Sequence, residues 1–143
     1  MITWKIKDMF FDRHVVMAAV DNAKRKVLSK AGAFIRQAAK TSIRKRKGTS
    51  KPGQPPFSHE GSLRKFIYFG YDRAADSVVV GPVGFKSSTA PAVLEHGGTI
   101  AVVRRGKRAR VGVKIAARPY MWPAFEQERP KLPLLWQNSV RRG

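Results

Sequence analysis

Residues 10–45 read FFDRHVVMAAVDNAKRKVLSKAGAFIRQAAKTSIRK, and this stretch decides the fold. Val16, Val20, Ala23, Val27, Ala31, Phe34, Ile35, Ala38, Ser42 and Ile43 recur at three- and four-residue steps. That spacing gathers side chains into one apolar stripe along an α-helix. The basic residues mostly fall between them, on the opposite faces. Asp12 suits an N-cap or first-turn acid at the positive end of such a helix, and Arg44, Lys45, Arg46 and Lys47 suit its negative end. Ala18, Ala19, Ala31, Gly32, Ala33, Ala38 and Ala39 leave room for another backbone to approach closely. The expected helix occupies residues 10–47, with residues 1–9 as an N-terminal arm.

Beyond it, residues 48–62 hold Pro52, Gly53, Pro55 and Pro56 and must leave helical geometry. Two strands are expected at 64–71 and 77–81, joined by a hairpin loop through Asp72 and Asp76. Leu63, Phe66 and Tyr68 do not alternate cleanly with Lys65, Ile67 and Phe69, which predicts burial on both faces; Val78, Val79 and Val80 point the same way. A short helix at 90–96 ends at Gly97-Gly98. A second hairpin pairs 100–103 with 111–115 across the tip Arg104-Arg105-Gly106-Lys107-Arg108-Ala109-Arg110, too charged to bury. Pro123 fits the first position of a final helix in the segment 117–143, kinked or restarted at Pro130 and Pro133. The class is α+β: a long N-terminal helix and a C-terminal helix packed on a small antiparallel sheet made of two hairpins, all in one domain of 1–143, with the sheet region at 63–116.

Charge is the strongest compositional feature. The 143 residues include 29 Lys+Arg and 9 Asp+Glu, a formal charge of +20. An apolar content of 43% excludes a disordered basic tail. With no Cys, disulfides and thiolate chemistry are excluded. No apolar run approaches the ~20 residues of a membrane helix, and residues 1–8 lack a signal-peptide core. The bases cluster: residues 22–59 hold eleven and no acid, and residues 96–125 hold seven and no acid. Such blocks repel themselves unless an anionic partner or salt screens them.

No constellation for catalysis, cofactor or metal stands out. His14, His59 and His96 lack metal-ligand spacing. His59-Glu60 and Glu95-His96 would suggest acid–base or metal chemistry only if both pairs met in space; otherwise each His caps a turn and each Glu answers an Arg. Neither a phosphate-cradling glycine loop nor a nucleophile elbow is present. The aromatic run 65–71 lacks the paired signatures of an RRM. Backbone contact with duplex DNA needs only displayed Lys and Arg, so non-specific binding is open while base readout has no device.

Three segments carry a resemblance. Pro52-Gly53-Gln54-Pro55-Pro56, followed by Gly61-Ser62-Leu63-Arg64, resembles the PGxPP region of the neck, or head–tail joining, proteins of long-tailed bacteriophages, a family that includes tail components like minor tail protein Z. Ala90-Pro91-Ala92-Val93-Leu94-Glu95-His96-Gly97-Gly98-Thr99 is similar to a second signature, with His96 where an aromatic is usual, and Ala117-Arg118-Pro119-Tyr120-Met121-Trp122-Pro123 to a third. Glu60 and the two prolines 130 and 133 depart from the pattern. The resemblance implies a non-enzymatic virion subunit without cofactor, forming a homo-oligomeric ring at the head–tail junction. It implies partners on both sides: head-completion or portal-side proteins, and tail-terminator or tail-tube proteins. Assembly would take place in the host cytoplasm.

By the same resemblance, Glu95, Gly97 and Gly98 mark a tight helix-to-strand turn, and Arg118 and Pro119 the turn into the terminal helix. Arg118 would bond carbonyls or a carboxylate such as Glu95, or else stand exposed. The expected interface anchors are Trp4, Phe10, Phe11, Trp122 and Trp136, with ordinary packing as the other reading. Arg104, Arg105, Lys107, Arg108 and Arg110, with Arg44 to Lys47, are the expected contacts to a neighbouring ring or packaged duplex DNA. The alternative is a free-standing basic protein that binds nucleic acid without sequence preference.

Overall fold

The structure, a computed structural model, describes residues 12–85, 89–103 and 110–140. Helix α1 spans Arg13–Ser42, and the Asp12 side chain caps it by accepting the N–H groups of His14 and Val15. At 30 residues it is about 45 Å long. Ala23, Val27, Ala31, Gly32, Ile35 and Ala39 are its buried residues. These follow the expected stripe through its middle but not at Val16, Val20 and Phe34, which are exposed. The helix also stops short of Lys47. Ile43 is already extended and fully buried, so Arg44 to Lys47 belong to the following loop. There Ser58 donates its N–H to the Arg44 carbonyl, beside a bridge between Arg44 and Phe57.

Gly61, at φ 80°, turns the chain into α2, the single turn Ser62–Lys65. The strand expected from Arg64 therefore begins only at Ile67. β1 (Ile67–Asp72) pairs antiparallel with β2 (Ser77–Pro82), with Phe69 opposite Val80 and Tyr71 opposite Val78. The ladder is not buried on both faces as its apolar run predicted: Ile67 is buried, but Tyr68 and Phe69 are exposed and Val79 is 62% exposed. One face lies on α1, where a Cβ on Gly32 would sit 2.6 Å from Val78 Cγ2. Among the described elements, none packs extensively on the other face. The turn is docked on α1 by Asp76, which accepts from Lys24 and from the Tyr71 hydroxyl.

Helix α3 (Thr89–His96) leads into β3 (Gly98–Val103), which pairs antiparallel with β4 (Arg110–Ile115). The two hairpins form two separate two-stranded sheets, not one. Helix α4 (Met121–Glu128) continues directly into a 3-10 helix at Arg129–Trp136, which accommodates Pro130 and Pro133. Pro123 is the third helical residue, not the first. The core gathers Ile35, Ala39, Ile43, Leu63, Ile67, Tyr120 and Ala124, with Phe85, Leu94 and Phe125 packed against it. Long helix, first hairpin and terminal helix thus share one small centre, and no described helix is long and apolar enough to cross a membrane.

Candidate functional site

The three segments that carry the resemblance meet in one hydrogen-bonded joint. α3 ends where Gly97, at φ 76°, donates its N–H to the Val93 carbonyl at 2.8 Å. A Cβ on Gly97 would lie 3.1 Å from Ala117 N, so the returning strand passes too close for a side chain. Two residues earlier, the Glu95 carboxylate points at the start of α4. Oε2 accepts from Tyr120 N at 2.9 Å and Met121 N at 3.0 Å, and Oε1 accepts from Trp122 N at 2.8 Å. A helix start leaves its first four N–H groups without intrahelical partners. Here three go to Glu95 and the fourth position is Pro123, which has none. The accounting is complete, and the negative charge lies against the positive end of the helix dipole.

Arg118 closes the joint from the other side. Its N–H donates to the Leu94 carbonyl at 2.6 Å, its Nε to the Ser50 carbonyl at 3.0 Å and its NH1 to the Ala116 carbonyl at 3.1 Å. It binds carbonyls, and Glu95 is not its partner. Gly53 donates to the Ala117 carbonyl at 2.8 Å, which ties the proline loop to the same place. Pro56 is buried beneath that loop, while Pro55 and Pro119 are half-buried. The Tyr120 phenol, 1% exposed, has its pKa pushed up to about 12, by burial first and then by the Glu95 charge.

Chemically, this arrangement holds segments together. Both oxygens of Glu95 are occupied by backbone donors. His59 lies elsewhere, its Nε2 2.7 Å from the Gly48 carbonyl. Among the described residues no three His, Asp or Glu side chains gather as metal ligands would. A groove of about 400 Å³ runs between α1 and the C-terminal segment past Phe34, Ala38, Thr41 and Glu128. Glu128 is buried there and paired with Lys131 at 2.9 Å.

The charged surface has a simple ledger. Asp12 caps α1, Asp72 accepts the N–H groups of Ala74 and Ala75, and Glu95 caps α4. Asp21 and Asp76 share Lys24, while Glu126 pairs with Arg129 and Glu128 with Lys131. Of the acids in described segments, only Glu60 has no such task. The acids are spent on caps, turns and three bases, so the basic surface is left without internal compensation.

Arg44, Lys45, Arg46 and Lys47 are exposed, with Arg46 over the Phe57 ring at 5.5 Å. Trp122 and Trp136 are 61% and 44% exposed, as candidate anchors should be. Trp4, Phe10, Phe11, Arg104, Arg105, Lys107 and Arg108 lie outside the described residues, as does the side chain of Arg110. Two features escaped sequence reading. The capping role of Glu95 acts on backbone groups, which leave no side-chain pattern. The gathering of Arg36, Lys40 and Arg64 had a partial signal in the i, i+4 spacing of the first two. Compared with known proteins, the chain matches no family model, no curated protein and no solved structure.

Proposed function

We propose that this chain is a structural virion subunit that assembles into a homo-oligomeric ring at the head–tail junction of a long-tailed phage. In that place it bridges head-completion or portal-side proteins to tail-terminator and tail-tube proteins around the DNA path. The observation that carries the assembly part is the apolar surface. Eleven hydrophobic residues are buried, while sixteen large ones stand exposed among the described residues. The first turns of α1 show Val15, Val16, Met17 and Val20 all at once. A helix apolar all round is ordinarily covered, and no part of the described chain covers it. The phage part rests on the three resembling segments, which the fold uses together as one joint. A head-to-tail contact between such surfaces generates a closed ring when the rotation closes.

Sedimentation of the purified chain, followed by its localisation in assembled particles by electron microscopy, tests the reading. An oligomer that is located at the junction supports it. A monomer that is absent from particles overturns it and leaves the alternative of a free-standing nucleic-acid binder. Arg105→Glu with Arg108→Glu asks whether the second hairpin tip takes part: loss of assembly with intact folding places the tip at a contact.

A further inference from the structure

We infer that Arg36, Lys40 and Arg64 form a preorganised contact for the phosphate backbone of double-stranded DNA. Arg36 and Lys40 are one turn apart on α1. Leu63 packs α2 against α1 in the cluster that holds Ala39 and Ile43, and the charge of its neighbour Arg64 acts on Lys40. Arg36 is fixed in place: its Nε donates to the Ile67 carbonyl at 2.7 Å, and its guanidinium lies 5.7 Å from the centre of the Tyr68 ring. The terminal nitrogens of its fork remain for an outside acceptor, and a planar fork matches phosphate. Lys40 feels this crowding. Its pKa is lowered, by burial first and then by the charges of Arg36 and Arg64. Among the described residues no carboxylate is paired with Arg36, Lys40 or Arg64, Glu60 included. An anion seated here removes like-charge repulsion and gains charge-assisted hydrogen bonds.

Duplex DNA suits the surface better than an acidic protein does. Eleven bases occur between residues 22 and 59 without an acid, and six of them, Lys24 to Lys40, lie on α1 along about 24 Å. A partner must offer dense negative charge over that whole length. A duplex offers one charge per about 1.7 Å of axis, and sequence-independent binding asks for no base-reading device. The inference deepens the ring reading, on which its place in the particle rests, by naming the surface that faces the DNA path.

The test is the affinity of the full chain for a labelled random-sequence duplex, read by fluorescence anisotropy across a salt series. Lys40→Gln with Arg64→Gln leaves Arg36 and its bond intact. This pair should lower affinity about tenfold or more and make the slope of log K against log salt shallower by about 1.8. Arg73→Gln with Lys114→Gln removes the same charge from exposed positions outside residues 22–59 and should keep the slope. Equal losses in both pairs, or tighter binding to polyglutamate than to duplex, overturn the inference. Sedimentation of the same samples separates the two readings: a monomer that binds duplex through Lys40 and Arg64 keeps the contact and sinks the ring, while a ring indifferent to duplex does the reverse.

Discussion

The Glu95 carboxylate accepts the backbone N–H of Trp122 at 2.8 Å, across 27 residues of chain. Helix caps ordinarily come from the residue just before the first turn. Here that residue is Tyr120, whose side chain makes no cap bond, and the function passes to a carboxylate at the end of another helix. The bond therefore stabilises α4 and fixes it to α3 together.

Glu95→Ala should cost about 2–4 kcal/mol, since three N–H groups lose a charged acceptor at once. Glu95→Gln should cost less, keeping one carbonyl oxygen while turning an amide N–H₂ towards one donor. Urea denaturation measures both. A loss below about 0.5 kcal/mol for the alanine, the level of an ordinary surface change, would mean that water replaces the carboxylate.

Gly32→Ala should destabilise, against the usual rule that Ala improves a helix by about 1 kcal/mol over Gly. The added methyl would lie 2.6 Å from Val78 Cγ2 and 2.9 Å from Phe69 Cδ2. Overpacking of this kind costs about 1–3 kcal/mol. Combining it with Val78→Ala should recover part of the loss; thermal melts of the single and double variants decide the point.

Tyr120 predicts an alkaline limit. A tyrosine in the unfolded chain ionises near pH 10, whereas the folded Tyr120 stays protonated to about 12. Its contribution is whole below the unfolded pKa and is lost as pH rises through the folded one. Tyr120→Phe should leave neutral-pH stability within about 1 kcal/mol and flatten the decline between about pH 10 and pH 12. Denaturation midpoints across that range give the answer.

Trp122→Ser with Trp136→Ser should abolish assembly without unfolding the subunit. Trp122 is 61% exposed and Trp136 44%, so truncation should cost the isolated chain well under the roughly 3–5 kcal/mol of a buried aromatic. A change in sedimentation with a melt that stays cooperative is the expected pair of results. Unchanged sedimentation would remove these two rings from the interface.

Local rules made much of the fold legible. Asp12 caps α1 as an N-cap acid should, Val27, Ala31 and Ile35 lie on the buried stripe, and Gly97 ends α3. Val79 and Tyr68 mislead because an apolar run does not say whether a second layer will cover it. Here the first hairpin lies on α1 by one face only. Arg64 was read into the strand that follows it, since nothing local separates a single helical turn at Gly61 from an extended start. Glu95 and Arg118 announced a turn but not its bonding: their partners are backbone groups 25 and 68 residues away, and such partners have no residue identity to read. The cluster at Lys40 needed α2 to be placed before Arg64 could be counted with it.

The joint also sets an order of events in folding. α1 and the first hairpin each form from contacts near in sequence, while the joint must bring Ser50 to Arg118 across 68 residues, farther than the 52 between Lys24 and Asp76 where the hairpin docks on α1. Contacts of long sequence separation are slow to form because the loop entropy is lost first. The joint is thus the closing step, and Glu95→Ala should speed unfolding far more than it slows folding in stopped-flow traces. A newly made chain would then pass through a stage in which its proline loop and terminal helix are not yet fastened. In the proposed ring, assembly would wait on that latch.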